Sequence, residues 1–214
     1  MGVLYGYIYA GVIKTGETYA PQPLSAPGDP KYVDVDGDGQ ITAKDRTYLG
    51  NTIPHYVAGF NNDFKYRNFD MNIFFSGAAG NSVFNAVKHT GLNASFPGYN
   101  LLADSKDAWS PTNTNTNVPV LSSTDNNNNF GRISDLYIED ASFVRLKNLS
   151  IGYTVKESWL NGKAKLRFFI SGQNLFTITN YSGMDPEIGL KNFGMDLGKY
   201  PLSRIYMTGV NATF

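Results

Sequence analysis

The sequence predicts an all-β fold, with about six antiparallel strands of a membrane-crossing β-barrel and long loops at one end. Three observations predict it. Several segments alternate apolar and polar residues with period two, and short and long connections take turns along the chain. The last segment is a strand that stops on an aromatic residue, Phe214.

The first strand falls near 3–14 and is followed by a long connection over 15–54. Next, Tyr56, Ala58, Phe60, Asn62, Phe64 and Tyr66 form one strand face, against His55, Val57, Gly59, Asn61, Asp63 and Lys65. A turn of roughly two residues leads to Phe69, Met71, Ile73 and Phe75, alternating with Asp70, Asn72, Phe74 and Ser76. The connection over 78–142 holds a short helix expected at 82–89, with Val83, Phe84 and Val87 on one side. It also holds a Thr/Asn-rich stretch, 111–130, read as solvated and mobile. Leu149, Ile151, Tyr153 and Val155 alternate with Asn148, Ser150, Gly152 and Thr154, and the short turn 156–163 follows. Leu166, Phe168 and Ile170 then alternate with Arg167, Phe169 and Ser171. After 179–202, Tyr206, Thr208, Val210, Ala212 and Phe214 share the last strand's apolar-leaning phase. Loops above about 15 residues are uncommon in compact domains, whereas outer-membrane barrels pair short periplasmic turns with long extracellular loops. On that rule 15–54, 78–142 and 179–202 are extracellular. Six strands cannot close a lumen that takes about eight, so the chain reads as the C-terminal part of a larger barrel, residues 1–214 throughout.

Composition agrees. Charged residues are 17% of the chain, below the usual quarter. The 18 basic and 18 acidic side chains cancel, which gives nucleic acid no electrostatic handle. There is no cysteine, hence no disulfide framework. No apolar run reaches the roughly 20 residues of a transmembrane helix, so a membrane role falls to strands. Met1-Gly2-Val3-Leu4-Tyr5 has neither a charged start nor a cleavage site, and an exported chain starting so reads as a fragment.

One motif carries metal chemistry. Asp34, Asp36, Asp38, Gln40 and Asp45 sit at positions one, three, five, seven and twelve of an EF-hand-type calcium loop, with Gly39 at the sharp turn. Calcium is a hard ion that takes six to eight oxygens, and carboxylates at alternate positions wrap one ion. Position twelve departs from the pattern, since Asp45 is shorter than the usual bidentate Glu. Flanking helices are not evident, so the expectation is an ion that staples a loop. A bare Asp/Gly-rich turn is the alternative. Catalysis finds no constellation: His55 and His89 lie in unrelated contexts, and Asp185-Pro-Glu187 is one acidic turn. Phe96, Tyr99, Trp109 and Tyr137 fall in loops, where packing of the loop onto itself is the favoured reading over sugar stacking.

Longer stretches carry a family resemblance. Ile138-Glu-Asp-Ala-Ser-Phe-Val-Arg-Leu-Lys-Asn-Leu-Ser-Ile-Gly-Tyr153 resembles a segment of the SusC/RagA family of TonB-linked outer-membrane proteins. Phe169-Ile-Ser-Gly-Gln-Asn-Leu-Phe-Thr-Ile-Thr-Asn-Tyr181-Ser-Gly-Met-Asp-Pro-Glu187 does so too. Gly28-Asp-Pro-Lys-Tyr-Val-Asp-Val-Asp-Gly-Asp-Gly39, with Asp45-Arg46 and Gly50-Asn51, is similar to the family's acidic loop. Tyr200-Pro-Leu-Ser-Arg204 leading to Asn211-Ala-Thr-Phe214 is similar to its terminal strand. The resemblance implies a barrel of about 22 strands with an N-terminal plug, in the bacterial outer membrane. It implies import of oligosaccharides, or peptides, driven through TonB and capped by a SusD-like surface lipoprotein. It also implies that Phe214 belongs to the signal read by the barrel-assembly machinery. The plug and the TonB-contacting segment are not in this sequence. A secreted, calcium-stapled β-sandwich that binds carbohydrate is the rival expectation, because alternation alone does not separate the two.

Overall fold

The computed structural model describes residues 2–96, 98–125, 130–156, 164–188 and 192–213. Phe214 and most of the 156–163 turn lie outside these residues. In chain order the strands are β1 (Val3–Gly6), β2 (Tyr9–Val12), β3 (Pro30–Tyr32), β4 (Thr47–Asn51), β5 (Tyr56–Tyr66) and β6 (Phe69–Ala79). Then come β7 (Ser82–Asn85), helix α1 (Ala86–Gly91), β8 (Ile138–Asp140) and β9 (Phe143–Thr154). The chain closes with β10 (Lys165–Thr179), β11 (Met195–Asp196) and β12 (Ile205–Thr213). No helix among the described residues is long and apolar enough to cross a membrane.

Five strands form one antiparallel wall in the order β12-β10-β9-β6-β5. The other strands lie in the connections β6→β9 and β10→β12 or before β5, so every insertion sits at one end of the wall. The expected first wall strand near 3–14 is instead split. β1 pairs with β4 and β2 with β3, in separate two-stranded sheets. Four residues each are too short to span a bilayer, which takes about 9–11, and Tyr7 between them turns into a core of its own. The helix expected over 82–89 begins only at Ala86. Val83 and Phe84 are buried on β7, and the Asn85 side chain caps α1 by accepting the Lys88 N–H at 2.9 Å.

Strand register sorts the wall's two faces. Tyr66, Phe69, Tyr153, Phe168 and Val210 lie in one cross-strand row. The next row on that face is Phe64, Met71, Ile151, Ile170 and Thr208. The Phe69 and Tyr153 rings sit 4.9 Å apart, a favourable tilted pair. This apolar face is open: Phe60, Phe64, Phe69, Phe168 and Ile170 are all exposed. The 11 residues of β5, rising about 3.4 Å each at a tilt near 40°, cover about 26 Å of height, the thickness of a barrel's apolar band.

The opposite face is polar and knitted together. Asn72 donates from Nδ2 to Asn61 Oδ1 and Asp63 Oδ1, both at 2.8 Å. Asn148 donates to Asn72 Oδ1 at 2.8 Å, which carries the network across three strands. Nearer the hairpin turns, Arg167 reaches over β9 to β6 and grips Asp70 with two bonds, 2.9 Å from Nε and 2.5 Å from Nη2. It passes above Gly152, where a Cβ would overlap the guanidinium.

Burial is inverted relative to a water-soluble sandwich. Among the described residues no second sheet covers the wall. The buried apolar side chains lie mainly in the connections: Tyr7, Tyr32 and Ile41 in one cluster, Val83, Ala141 and Tyr181 in a second, Phe84, Leu92 and Tyr137 in a third. Gly152→Val in the full-length protein is expected to sever the Arg167–Asp70 grip and lower stability by about 1 kcal/mol, the size of a half-exposed ion pair plus local crowding. Denaturant unfolding of the detergent-solubilised protein measures this, and an unchanged midpoint would refute the role given to Gly152.

Candidate functional site: the acidic loop and the arginine that anchors the last connection

The loop between β3 and β4 is a chain of turns closed by carboxylates. Asp34 accepts the Gly37 N–H through Oδ1 and the Gly39 N–H through Oδ2, both at 2.8 Å. Asp36 accepts from Asp38 at 3.2 Å, and Asp38 from the Gln40 N–H at 3.0 Å. Such turns need left-handed backbone, which glycine supplies at φ 75° for Gly37 and 81° for Gly39. The outcome is convergence: carboxylate oxygens of Asp34, Asp36 and Asp38 lie within 4.8 Å of one another.

Asp45 does a different job from the one its position suggests. It is fully buried, and its oxygens accept the N–H groups of Val35 at 2.8 Å, Asp36 at 3.4 Å and Thr42 at 2.6 Å. Thr42 and Asp45 also form a capping box over the short turn Ala43–Asp45. Burial pushes the Asp45 pKa up, but the N–H groups of Thr42, Val35 and Asp36 outweigh it and hold the carboxyl below its usual range. The donor set therefore suits a hard divalent cation at Asp34, Asp36 and Asp38, with Asp45 clamping both ends of the loop beside it. Gln40 joins the loop through its backbone N–H, which donates to Asp38.

On the polar face of β9, Arg145 organises the last connection. Its Nη2 bonds Asp185 at 2.7 Å, Nη1 bonds Glu187 at 2.8 Å and Nε donates to Thr177 Oγ1 at 2.8 Å. Asp185 also accepts the N–H groups of Glu187 at 2.9 Å and Leu202 at 3.2 Å. Asp196 accepts from the Tyr181 hydroxyl at 2.6 Å and from the Gly198 and Lys199 N–H groups. The described residues of this connection, 180–188 and 192–204, are thus fastened to the polar face of the wall through Arg145. Asp185 and Glu187, one acidic turn in the sequence, are the two carboxylates that receive Arg145. Arg145 itself escaped sequence reading, and a lone arginine in the alternating run Phe143-Val-Arg-Leu was its only signal.

Of the remaining candidates, His89, Trp109 and Tyr137 pack within the loops, whereas Tyr99 does not. His89 Nε2 lies 2.9 Å from the Phe130 carbonyl, and its ring stands edge-on to Tyr137 at 4.8 Å. His55 is held by its backbone, whose N–H donates to Ala79. Tyr137 is buried and Trp109 half-buried, Phe96 leans on His89, and Tyr99 is exposed.

Burial acts to raise the Asp185 pKa, but the Glu187 N–H, the Arg145 guanidinium and the Leu202 N–H prevail and lower it. A carboxyl depressed by folding adds stability above its unfolded pKa of about 3.9, and that stability is lost as pH falls through the lower folded value. The connection is expected to stay docked at pH 5 and to release well below about pH 4. Arg145→Ala leaves a buried carboxylate unpaired and is expected to cost about 3–5 kcal/mol, read as faster proteolysis within 180–204 at neutral pH. Equal cleavage of both forms would refute the anchoring role.

Comparison with known proteins agrees with this architecture. No family model matches the chain. It is 41% identical to TonB-dependent receptor P3 of Formosa agariphila, over 100% of this chain and 22% of that protein. It is 27% identical to the TonB-dependent receptor SusC of Bacteroides thetaiotaomicron, over 86% of this chain and 17% of the receptor. In structure it is similar to the RagAB peptide transporter, with a TM-score of 0.77, 24% identity and coverage of 97% of this chain and 22% of that one. The chain spans about a fifth of the length of these relatives. The inside-out wall, the one-ended insertions and these likenesses lead to one conclusion: the chain belongs to the SusC/RagA-type TonB-dependent receptors of the bacterial outer membrane.

Proposed function

We propose that these residues form the C-terminal wall segment and external loops of a TonB-dependent nutrient importer, with oligosaccharides as the substrate class and peptides as the second choice. The observation that carries this is the pairing of an open apolar face about 26 Å tall with insertions at only one end of the wall. The insertion-bearing end, with 15–54, 78–142 and 179–202, faces outside, and the turn at 67–68 faces the periplasm. A SusD-like surface lipoprotein caps the loop end, and TonB engages the receptor through sequence outside these residues. The terminal strand, with Phe214, is read by the barrel-assembly machinery. No residue here is assigned a catalytic role.

Orientation is directly testable, because this stretch has no cysteine of its own. In the full-length receptor, Asn115→Cys is expected to react with a membrane-impermeant maleimide on intact cells, and Asn68→Cys only after lysis. The reverse pattern would sink the assignment of sides.

The same reading includes a calcium ion held by Asp34, Asp36, Asp38 and the Gln40 backbone, with Asp45 as the clamp. What supports it is the convergence of three carboxylates beside a fourth. An ion present at a hundredfold excess over its dissociation constant stabilises by about 2.7 kcal/mol. Calcium is therefore expected to raise the unfolding temperature of the purified receptor, and Asp34→Ala with Asp36→Ala to abolish the rise. A rise that survives the double substitution would remove these residues as ligands.

A further inference from the structure

The apolar face of the wall is hollowed where β9, β10 and β12 run side by side. Gly172 shares the apolar phase of β10 with Ile170, and it pairs with Leu149 of β9 and Tyr206 of β12. With no side chain at Gly172, an open groove of about 440 Å³ crosses the three strands, lined by Leu149, Ile151, Ile170, Leu175 and Tyr206. Leu175 reaches it because β10 bulges. The register slips between Gln173 and Phe176, and Asn174 turns left-handed at φ 52°. Leu175 then folds back over Gly172, where a Cβ would come within 2.6 Å of Leu175 Cδ2.

Two polar groups stand at the loop-side end of this groove. Tyr206 is exposed, and among the described residues its hydroxyl has no partner. Two residues before it, Arg204 is exposed and, among the described residues, enters no ion pair. The bulge positions this segment, since Asn174 Nδ2 donates to the Ser203 carbonyl at 3.1 Å. Height along the wall says what these groups meet. Lys165 pairs with Thr213 at the turn end of the ladder, and Gly172 with Tyr206. At about 3.4 Å per residue and a tilt near 40°, Tyr206 stands about 18 Å above that end. The apolar band of a barrel is about 25 Å tall, with aromatic girdles at its boundaries. Tyr206 therefore lies in the upper part of the band, and Arg204 lies nearer its outer boundary. Hydrocarbon offers a hydroxyl or a guanidinium nothing, whereas a headgroup phosphate supplies an acceptor and a countercharge. An apolar trough that ends in an unpaired phenol and an unpaired arginine matches an acyl chain that ends in a phosphate.

Resting on the reading of this face as the lipid side and of the loop end as the outer side, we propose that the groove is a binding site for a phosphorylated lipid of the outer leaflet. One acyl chain lies in the hollow over Gly172 against Leu175, and Arg204 and Tyr206 hold the phosphate.

The test uses the full-length receptor in phosphatidylcholine vesicles that contain a trace of one of two probes, phosphatidic acid or diacylglycerol. Each probe carries a diazirine midway along one acyl chain. After illumination, label is expected to concentrate on 149–151 and 170–175, about fivefold more from phosphatidic acid, the worth of one cation at the membrane surface. Arg204→Gln, an exposed change that leaves the wall intact, is expected to erase that preference and to leave the label from diacylglycerol as it was. Ile170→Trp fills the groove from an exposed position and is expected to lower label there from both probes, while Phe60 and Phe64 are labelled as before. Label spread evenly over the apolar face, equal label from the two probes or a preference that outlives Arg204→Gln would overturn the proposal. So would a groove that no lipid labels while the rest of the apolar face is labelled. A folded receptor whose apolar face takes no label from either probe would instead overturn the reading on which the proposal rests.

Discussion

Every buried backbone N–H and C=O in a bilayer must find a partner, because the hydrocarbon offers none. The wall meets that demand by lateral pairing. β9 and β10 share eleven register pairs and β5 and β6 another eleven, with bulges confined to the loop-side half of the wall. The requirement calls for long strands, the short β5–β6 turn makes that pair antiparallel, and side chains stay free to present an apolar face outward. It also leaves β5 and β12 as sheet edges with unpaired backbone groups. Those edges call for further strands, so the wall has its meaning within a closed barrel.

With apolar side chains committed to the outside, cohesion on the inside comes from polar contacts. The Asn61–Asn72–Asn148 network, the Arg167–Asp70 grip and the Arg145 cluster are all long-range. They fasten strands two apart in the wall as well as neighbours, and in the last case a connection, without calling on a hydrophobic core. That core lies in the loop layer, where Tyr32, Tyr137 and Val83 are almost wholly buried.

The division explains what could be read from sequence. Period-two alternation is local, so β5, β6, β9, β10 and β12 were legible almost to their ends, and the two-residue turn before Phe69 gave their hairpin. The pairing of β1 with β4 spans more than forty residues and leaves no local trace. An alternating segment there reads like a wall strand although it is only four residues long. In the acidic loop, spacing revealed Asp34, Asp36 and Asp38 but not the burial of Asp45. A motif states which oxygens are near in sequence and not which backbone donors will occupy them. Gly152 looked like any polar-phase small residue, since its use depends on Arg167 from the next strand.

The loop layer's separate clusters bear on how such a protein diversifies. β7, α1 and β8 leave the wall after β6 and return at β9, with β6 and β9 already fixed in register by their own ladder. Side-chain changes at Phe84, Leu92 or Tyr137 are felt by neighbours within that layer. A lineage can therefore remodel the surface it shows its surroundings while the wall's apolar rows stay as they are, so that novelty and membrane fitness are inherited on separate parts of one chain.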